Sequence, residues 1–223
     1  MTNIRLVVFD CDGVLVEHSS SWEFLHEAFG VTREAQLTKR MFNEGVISYY
    51  DWMYVDTLLW LYTQRGRVRK NYLEERLWAI RVREDAKKVV KKLKKKGILT
   101  IIVSSGIDLL VKRVAKELGV HGWISNKLIF NREGFLVPGG LPYVPLGAKR
   151  IVLEEIMKAT GILREQIALV SDNESDKEAF SAVGLPIKYG KPSAPGSCVI
   201  IEKLDQLLDV IKEYEKNRLQ CNC

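Results

Sequence analysis

The chain has 223 residues, of which 47% are hydrophobic and 28% are charged, and its formal net charge at pH 7 is +6. This length is enough for one substantial core, or for a core domain with a small accessory domain, and the composition is that of a globular protein. No apolar run has membrane-spanning length and no secretory signal pattern is present, so we expect a cytoplasmic protein without a membrane partner.

The four cysteines do not have the spacing of a disulfide framework. Cys11 and Cys198 lie in or beside apolar runs, whereas Cys221 and Cys223 lie in a polar tail. A Cys-x-Cys pair at the end of a chain can bind a metal, but a frayed terminus is the simpler interpretation.

The first apolar run, Leu6 to Phe9, is predicted to be a buried strand that enters a loop at Gly13. This loop contains Asp10 and Asp12. One carboxylate can attack phosphorus and form an acyl phosphate, while a second protonates the leaving oxygen and later activates water. Both also offer hard oxygen ligands for Mg²⁺. Because Asp-x-Asp-Gly also occurs in plain turns and calcium loops, the motif alone leaves these interpretations open.

The stretch from Val16 to Arg81 has no clear strand and is predicted to form several helices. It contains four of the five tryptophans and five tyrosines: Trp22, Trp52, Trp60, Trp78, Tyr49, Tyr50, Tyr54, Tyr62 and Tyr72. We expect most of these rings to form the core of a small bundle, with one or two of Trp22, Tyr49, Tyr50 and Trp52 facing a cleft. The predicted division is a helical cap domain at 16–81 and a sheet domain at 1–15 and 82–223.

The positive charge is concentrated in a lysine-rich segment that follows the helical stretch. Its lysines are Lys87, Lys88, Lys91, Lys92, Lys94, Lys95 and Lys96. Apolar residues interleave with them at helical spacing: Ala86, Val89, Val90 and Leu93. The pattern indicates the solvent-facing side of an amphipathic helix and favours it over a nucleic-acid patch.

The second predicted strand, Ile98 to Val103, is followed by Ser104, Ser105 and Gly106 at the start of a helix predicted from Ile107 to Leu118. Hydroxyls and free backbone N–H groups at a helix start favour an anion. The alternative is that Ser104 only caps this helix.

The next elements contain a lysine and an acidic pair. Apolar pairs around Asn131–Gly134 predict a hairpin over Lys127 to Val137. Lys149 is the first residue of a helix predicted from Lys149 to Met157. It is either a ligand for phosphate or an ordinary surface lysine. Asp172 and Asp176 follow a strand predicted from Ile167 to Val170, where Asp176 alternatively caps its own helix. The remaining predicted elements are a helix at Lys177–Val183, strands at Ile187–Tyr189 and Cys198–Ile201, and a helix at Leu204–Tyr214.

Strands that alternate with helices predict βαβ units and an α/β fold, a Rossmann-like doubly wound parallel sheet with a small helical cap inserted after the first strand. Ligands of such sheets bind beyond the carboxyl ends of the strands. We therefore expect the loop of Asp10 and Asp12, the hydroxyl of Ser104, Lys149 and the acidic pair to meet at one edge.

This order of motifs resembles the haloacid dehalogenase superfamily. Asp10-Cys11-Asp12-Gly13-Val14 matches its first motif, Val103-Ser104-Ser105-Gly106 the second, Lys149 the third, and Asp172 with Asp176 the fourth. The layout is most similar to the phosphoserine phosphatase-like subfamily, which also has a helical cap between the first two motifs and a hairpin after the third strand.

The resemblance implies a phosphatase that acts on a small-molecule phosphate ester through a phospho-aspartyl intermediate. Asp10 would be the nucleophile and Asp12 the acid and base, with Ser104 and Lys149 also catalytic. Ser105 and Gly106 would bind the phosphoryl oxygens. The implied metal is Mg²⁺, with Asp10, Asp12 through its backbone carbonyl, Asp172 and Asp176 as the metal-site residues.

Two departures from this subfamily concern the substrate. The position of its cap glutamate is Ser19 here, and the stretch from Ile47 to Tyr54 lacks the arginine that clamps the substrate carboxylate. Unless Arg40 or Arg65 reaches in from elsewhere, we expect a less charged and bulkier leaving group than that of phosphoserine.

Three other functions stay open at this point. One is a phosphoserine phosphatase proper, and another is a phosphotransferase or phosphomutase that passes the phosphoryl group to an acceptor other than water. The third, a nucleic-acid-binding protein with a vestigial site, is not favoured because the motif set is complete. A monomer or a homodimer fits the sequence equally well.

Overall fold

A seven-stranded sheet forms the centre of the computed structural model, which describes residues 3–190, 199–217 and 219. The strands are β1 Leu6–Phe9, β2 Leu99–Ile107, β3 Gly122–Phe130, β4 Leu136–Leu141, β5 Ile167–Ser171, β6 Leu185–Tyr189 and β7 Val199–Ile201. Their order is β4-β3-β2-β1-β5-β6-β7. All neighbours are parallel except β3 and β4, which form an antiparallel hairpin.

Helices connect these strands and cover both faces of the sheet. They are α1 Ser21–Phe29, α2 Thr32–Asn43, α3 Tyr49–Thr63, α4 Lys70–Trp78, α5 Glu84–Lys95, α6 Asp108–Leu118, α7 Lys149–Thr160, α8 Lys177–Ser181 and α9 Leu207–Glu215. Short 3₁₀ turns lie at Arg164–Gln166, Glu174–Asp176 and Leu204–Gln206. In the described part of the chain, no helix is both long and apolar enough to cross a membrane.

The central strand β1 is buried along its whole length, because both of its faces are covered. Val7 and Phe9 belong to the larger hydrophobic cluster, which also contains the apolar face of α5, whereas Leu6 and Val8 belong to the second cluster. Successive side chains of a strand point to opposite faces, so this partition places helices on both sides. The predicted doubly wound α/β class is confirmed.

The segment between β1 and α5 is helical, as predicted, and consists of α1 to α4. Its ends meet in an antiparallel bridge between Val16 and Val82. Its longest helix, α3, packs against β4 at Gly139, whose N–H donates to Thr57 Oγ1 at 2.7 Å. The domain bounds at residues 16 and 81 stay a prediction.

Several predicted elements have different ends in the structure. Strand β2 continues through Ser104 to Ile107, because its main chain keeps pairing with β3 beyond an irregularity in the register. Helix α8 ends at Ser181, and β3 begins at Gly122, upstream of the predicted hairpin. The lysine-rich helix is present as α5 with its apolar face buried. Cys198, Cys221 and Cys223 lie outside the described residues.

Candidate active site

The carboxyl ends of β1, β2 and β5 open into one cavity of about 690 Å³. It brings together all the predicted site residues: Asp10, Asp12, Ser104, Ser105, Gly106, Lys149, Asp172 and Asp176. Because β1 lies between β2 and β5, the loops that follow these strands are neighbours at this edge. Helices α1, α2 and α3 of the segment predicted to be a cap supply the opposite wall.

Lys149, the first residue of α7, is buried between two carboxylates. Its Nζ lies 2.7 Å from Asp10 Oδ2 and 2.6 Å from Asp176 Oδ2, and only 2% of the residue is exposed. Ser171 Oγ donates a further hydrogen bond to Asp176 Oδ2 at 2.5 Å. Burial lowers the pKa of Lys149, but the charges of Asp10 and Asp176 outweigh it and hold the pKa above its ordinary value. The ammonium is therefore charged where it meets Asp10.

Asp10 is fixed at the end of β1 by its main chain and its side chain. Its N–H donates to the carbonyl of Val170 in β5 at 2.9 Å, and its Oδ1 accepts from the N–H of Cys11 at 2.7 Å. Lys149 holds the other oxygen. The carboxylate therefore has one orientation relative to the cavity, as a nucleophile for in-line attack requires.

Asp12 is held from the cap. Its Oδ2 accepts from both the N–H and the Oγ of Ser21, each at 2.7 Å, whereas its Oδ1 is buried without a hydrogen-bond partner. Burial and the charge of Asp10 raise the pKa of Asp12 to about 6, although the bonds from Ser21 act in the opposite direction. A carboxyl with a pKa near neutrality can both give and take a proton.

Asp172 follows β5 and lies against Gly13 of the first loop. A Cβ on Gly13 would approach the Asp172 carboxylate carbon to 2.8 Å, and the φ of Gly13 is +73°, so the loop requires a glycine here. Burial, and after it the charge of Asp10, raises the pKa of Asp172 to about 6. Two carboxylates that repel one another beside a backbone loop provide the hard, anionic oxygen set that suits a divalent cation.

Within residues 3–190, 199–217 and 219, no group of three or more acidic, histidine or cysteine side chains is arranged to hold a metal ion. A metal at this edge would thus need a main-chain oxygen beside Asp10 and Asp172, as the predicted carbonyl of Asp12 would supply. Asp176 Oδ2 is already engaged by Lys149 and Ser171.

The serine loop after Val103 is tightly packed. Ser104 is 1% exposed, and its Oγ accepts from the N–H of Gly106 at 3.1 Å, while the N–H of Ile107 donates to Ser21 Oγ at 3.0 Å. The N–H of Gly106, expected to be free for an anion, therefore has a partner within the protein. Ser104 does not cap α6, whose N-cap is Ile107.

Three aromatic side chains of the cap line the cavity, where one or two were expected. These are Trp22, Tyr49 and Trp52, whereas Tyr50 is half exposed and lies against Gly139 instead. Two of them are tied to the sheet domain: Trp22 Nε1 donates to the Ser105 carbonyl at 3.1 Å, and Tyr49 Oη accepts from Asn126 Nδ2 at 2.8 Å.

The cap wall also contains charged groups that the sequence interpretation missed. Glu23 and Lys39 line the cavity as an ion pair of 3.0 Å, with both side chains half exposed. His26 Nε2 and Asp56 Oδ2 are buried 3.2 Å apart on the same wall. Ser19 does line the cavity.

Neither Arg40 nor Arg65 is among the residues of this wall. No sequence signal links Glu23 to Lys39, because they belong to different helices. Ser21, in contrast, belongs to the serine run Ser19-Ser20-Ser21 before a helical pattern, which is typical of a helix N-terminus.

The sequence profile of the haloacid dehalogenase-like hydrolases matches residues 4–184, and the chain belongs to this family. Its curated relatives include a phosphoserine phosphatase from Methanocaldococcus jannaschii, 29% identical over 217 residues that cover 93% of this chain and 96% of the relative. A phosphoserine phosphatase from Archaeoglobus fulgidus is 29% identical over 219 residues, which cover 93% of this chain and 60% of the relative.

Solved structures give the same result. A phospho-aspartyl intermediate analogue of phosphoserine phosphatase superposes with a TM-score of 0.74 at 26% identity, covering 93% of this chain and 99% of the other. A substrate-bound phosphoserine phosphatase complex gives 0.73 at 26% identity, covering 95% and 99%. The predicted likeness to phosphoserine phosphatases, and with it the prediction of a phosphatase, is confirmed.

Proposed function

We propose that this phosphatase is a Mg²⁺-dependent phosphomonoesterase that acts on a small-molecule phosphate and forms a phospho-aspartyl intermediate on Asp10. The observation that supports it most directly is the buried ammonium of Lys149 between Asp10 and Asp176, beside Asp12, which lines the same cavity and has a buried oxygen without a partner. A nucleophile, a proton carrier and a fixed positive charge are thereby assembled around one space.

The first half-reaction transfers the phosphoryl group to Asp10. A carboxylate oxygen of Asp10 bonds to phosphorus, the bond from phosphorus to the ester oxygen breaks, and that oxygen takes the proton of Asp12. In the second half-reaction Asp12 removes a proton from water. The water oxygen attacks phosphorus, the bond to Asp10 breaks, and inorganic phosphate is released.

The other residues bind the phosphoryl group. Lys149 stabilises the charge that develops on the phosphoryl oxygens, and Ser104 with the N–H of Ser105 binds them. The N–H of Gly106 joins them when it leaves Ser104 Oγ. Asp10, the carbonyl of Asp12 and Asp172 would hold Mg²⁺, which when bound neutralises phosphate charge and orients the ester. The bonds that Asp176 shares with Lys149 and Ser171 favour an indirect role for this residue.

The test is hydrolysis of an aryl phosphate with and without Mg²⁺ by the parent protein and by Asp10→Asn. We expect metal-dependent release of phosphate from the parent and none above background from the variant, since an amide cannot form the acyl phosphate. Near-parental turnover by Asp10→Asn would exclude Asp10 as the nucleophile.

For the leaving group, we propose a bulkier and less charged group than serine. Ser19 cannot pair with an ammonium as a carboxylate does, and the stretch 47–54 of the cap contains no arginine. The aromatic surface of Trp22, Tyr49 and Trp52 favours apolar or planar groups. We further propose that residues 16–81 act as a cap domain that closes over the site in a cytoplasmic enzyme.

Phosphoserine itself is the second candidate substrate, and one observation favours it. Glu23 and Lys39 place one negative and one positive side chain on the cavity wall, and a zwitterionic amino acid could exchange partners with this ion pair. Two curated relatives are named phosphoserine phosphatases.

The two substrates are distinguished by kcat/KM for phosphoserine against sugar, nucleotide and aryl phosphates, repeated with Glu23→Gln and Lys39→Met. If phosphoserine leads the panel and both variants weaken it selectively, the second candidate is correct. If an aryl or another bulky ester leads, the aromatic wall determines the choice.

A further inference from the structure

Ser21 links the cap to the two loops of the candidate active site. It is the first residue of α1 and is completely buried. Both of its donors, the main-chain N–H and the hydroxyl, bond to Oδ2 of Asp12 at 2.7 Å. Its Oγ also accepts from the N–H of Ile107 at 3.0 Å. Ser21 thus contacts both Asp12 in the loop after β1 and Ile107 at the end of β2.

The direction of these bonds follows from the donors available. A main-chain N–H can only donate, so Ile107 uses a lone pair of Ser21 Oγ, and the hydroxyl proton is left for Asp12 Oδ2. Oδ2 therefore receives two hydrogen bonds, while Oδ1 has no protein partner. Ser21 thus makes the two oxygens of the Asp12 carboxyl group differ in hydrogen bonding.

Gly106 packs directly against the hydrogen bond between Ser21 and Asp12. A Cβ on Gly106 would lie 2.8 Å from Asp12 Oδ2 and 3.0 Å from Ser21 Oγ, so the loop packs directly against this hydrogen bond. The Ser21 N–H is one of the groups that the first turn of α1 leaves without a partner inside the helix, and it bonds to the carboxylate at the positive end of the helix dipole.

We propose that Ser21 is a positioning residue of the reaction: it occupies Oδ2 of Asp12 and so presents Oδ1 to the ester oxygen as the atom that gives and takes the proton. This inference rests on the proposed phosphomonoesterase function. Ser21 touches neither phosphorus nor the ester in this role and acts only through Asp12.

The experiment measures kcat/KM at a single pH for p-nitrophenyl, phenyl and benzyl phosphate, whose leaving oxygens are increasingly basic. Protonation of the leaving oxygen matters least for p-nitrophenyl and most for benzyl phosphate. For Ser21→Ala we expect a loss of about tenfold or more with benzyl phosphate, the scale of one hydrogen bond to a charged group, and a much smaller loss with p-nitrophenyl phosphate.

Two variants and one background distinguish positioning from folding. Ser21→Cys keeps the shape of the side chain but places a slightly larger, weakly donating thiol there, so it should behave like Ser21→Ala. Ser48→Ala removes the exposed N-cap serine of α3, which bonds with Asp51 and not with Asp12, and should keep the parental leaving-group dependence. In an Asp12→Asn background, Ser21→Ala should cause no further loss with benzyl phosphate.

A uniform fall across the three esters, restoration by Ser21→Cys, or full additivity with Asp12→Asn would each overturn the inference. These outcomes are separate from failure of the proposed function, which would appear as an active Asp10→Asn variant or a parent that hydrolyses none of the esters.

Discussion

At the scale of single residues, the site depends on a small set of charged side chains, of which Asp10, Lys149 and Asp176 are buried. Lys149 balances Asp10 and Asp176, while Asp12 and Asp172 have pKa values of about 6 because burial and the charge of Asp10 disfavour their ionised forms. The substrate phosphate adds further negative charge to this edge. Each positive group here is therefore expected to have a large effect on the reaction.

Lys149→Ala should reduce turnover by about 10²–10³-fold, the usual scale for one electrostatic donor at a transition state. It should also weaken binding of beryllium and aluminium fluoride, measured by inhibition of aryl phosphate hydrolysis. Lys158→Ala is the matched control, because Lys158 lies on the same helix in an exposed pair with Glu155. If rate and inhibitor affinity are both intact in Lys149→Ala, the lysine has no role in the reaction.

Asp12→Asn should lose roughly 10²–10⁴-fold in kcat/KM with a poor leaving group, since it removes the proton donor. Mg²⁺ affinity, measured by calorimetry, should change little, because only the carbonyl of this residue is expected at the metal. Unchanged turnover of benzyl phosphate would contradict the assignment of Asp12.

At the scale of elements, the position of α3 determines the shape of the cavity. This helix supplies Tyr49 and Trp52 to the wall, and Thr57 bonds to β4. Next to that bond, a Cβ on Gly140 would contact the Met53 side chain and approach the carbonyl oxygen of Lys127 to 2.6 Å. The glycine is thus enclosed by the main chain of the neighbouring strand β3 and by the Met53 side chain of α3.

Gly140→Ala should accordingly distort the pairing of β3 with β4 and displace the Met53 side chain, lowering the free energy of unfolding by about 1–3 kcal/mol, the usual cost of overpacking. We expect kcat/KM to fall as well, because Met53 lines the cavity. Urea unfolding and steady-state kinetics measure the two effects. Gly122→Ala in β3 is the control, since its added Cβ would meet only Ile101 Cγ2, at 3.9 Å. Equal effects of the two substitutions would contradict the packing argument.

The elements that the sequence predicted correctly are those whose pattern of apolar residues is contained within the element itself. The run Leu6–Phe9 is β1 without change, because a buried parallel strand is continuously apolar. The end of β2 was wrong: Ser104 to Gly106 are polar or small and give no strand signal, yet their main chain continues toward the pairing of Ile107 with Asn126.

The site shows the same distinction. Asp10 and Asp172 directly follow strands, and Ser104 lies in the last part of β2, so the fold alone brings them together. Ser21 and the pair of Glu23 and Lys39 were missed, because their contacts join segments whose relative placement depends on how α1, α2 and the sheet pack. The spacing of apolar residues along the chain does not specify how these segments pack against one another.

At the scale of the whole molecule, excess positive charge lies on the outer face of α5, and part of it is paired. Lys87 Nζ lies 2.9 Å from Glu84 and 3.1 Å from Glu117. The apolar side of the same helix is in the core. The expected absence of a nucleic-acid partner stays a prediction, as does a monomeric or dimeric state.

Stability without metal should depend on pH through Asp12 and Asp172. Both pKa values are raised from 3.8 to about 6, so the folded state binds more protons than the unfolded state between about pH 4 and pH 6. The free energy of unfolding from these groups should therefore fall as pH rises through that window and stay low above it.

Urea unfolding in a chelator at pH 4.5 and pH 8 tests this dependence. Asp172→Asn should be more stable than the parent at pH 8, with a smaller difference at pH 4.5, and Mg²⁺ should reduce the advantage. A parent as stable as Asp172→Asn at pH 8 without metal would contradict the assigned origin of the raised pKa.

The bridge between Val16 and Val82 has a consequence for how such an enzyme can diversify. Hydrogen bonds from the N–H of Glu17 to the carbonyl of Arg81, and from the N–H of Arg83 to that of Leu15, close the two ends of the helical segment together. These main-chain bonds offset the entropic cost of bringing the two ends of the segment together, and they do so whichever helices lie between the ends. Exchange or lengthening of the helices would leave β1, with its aspartates, and α5 in place. Evolution, or an engineer, can alter which molecules are admitted and still inherit the chemistry, provided that the start of α1 with Ser21 against Asp12 is kept.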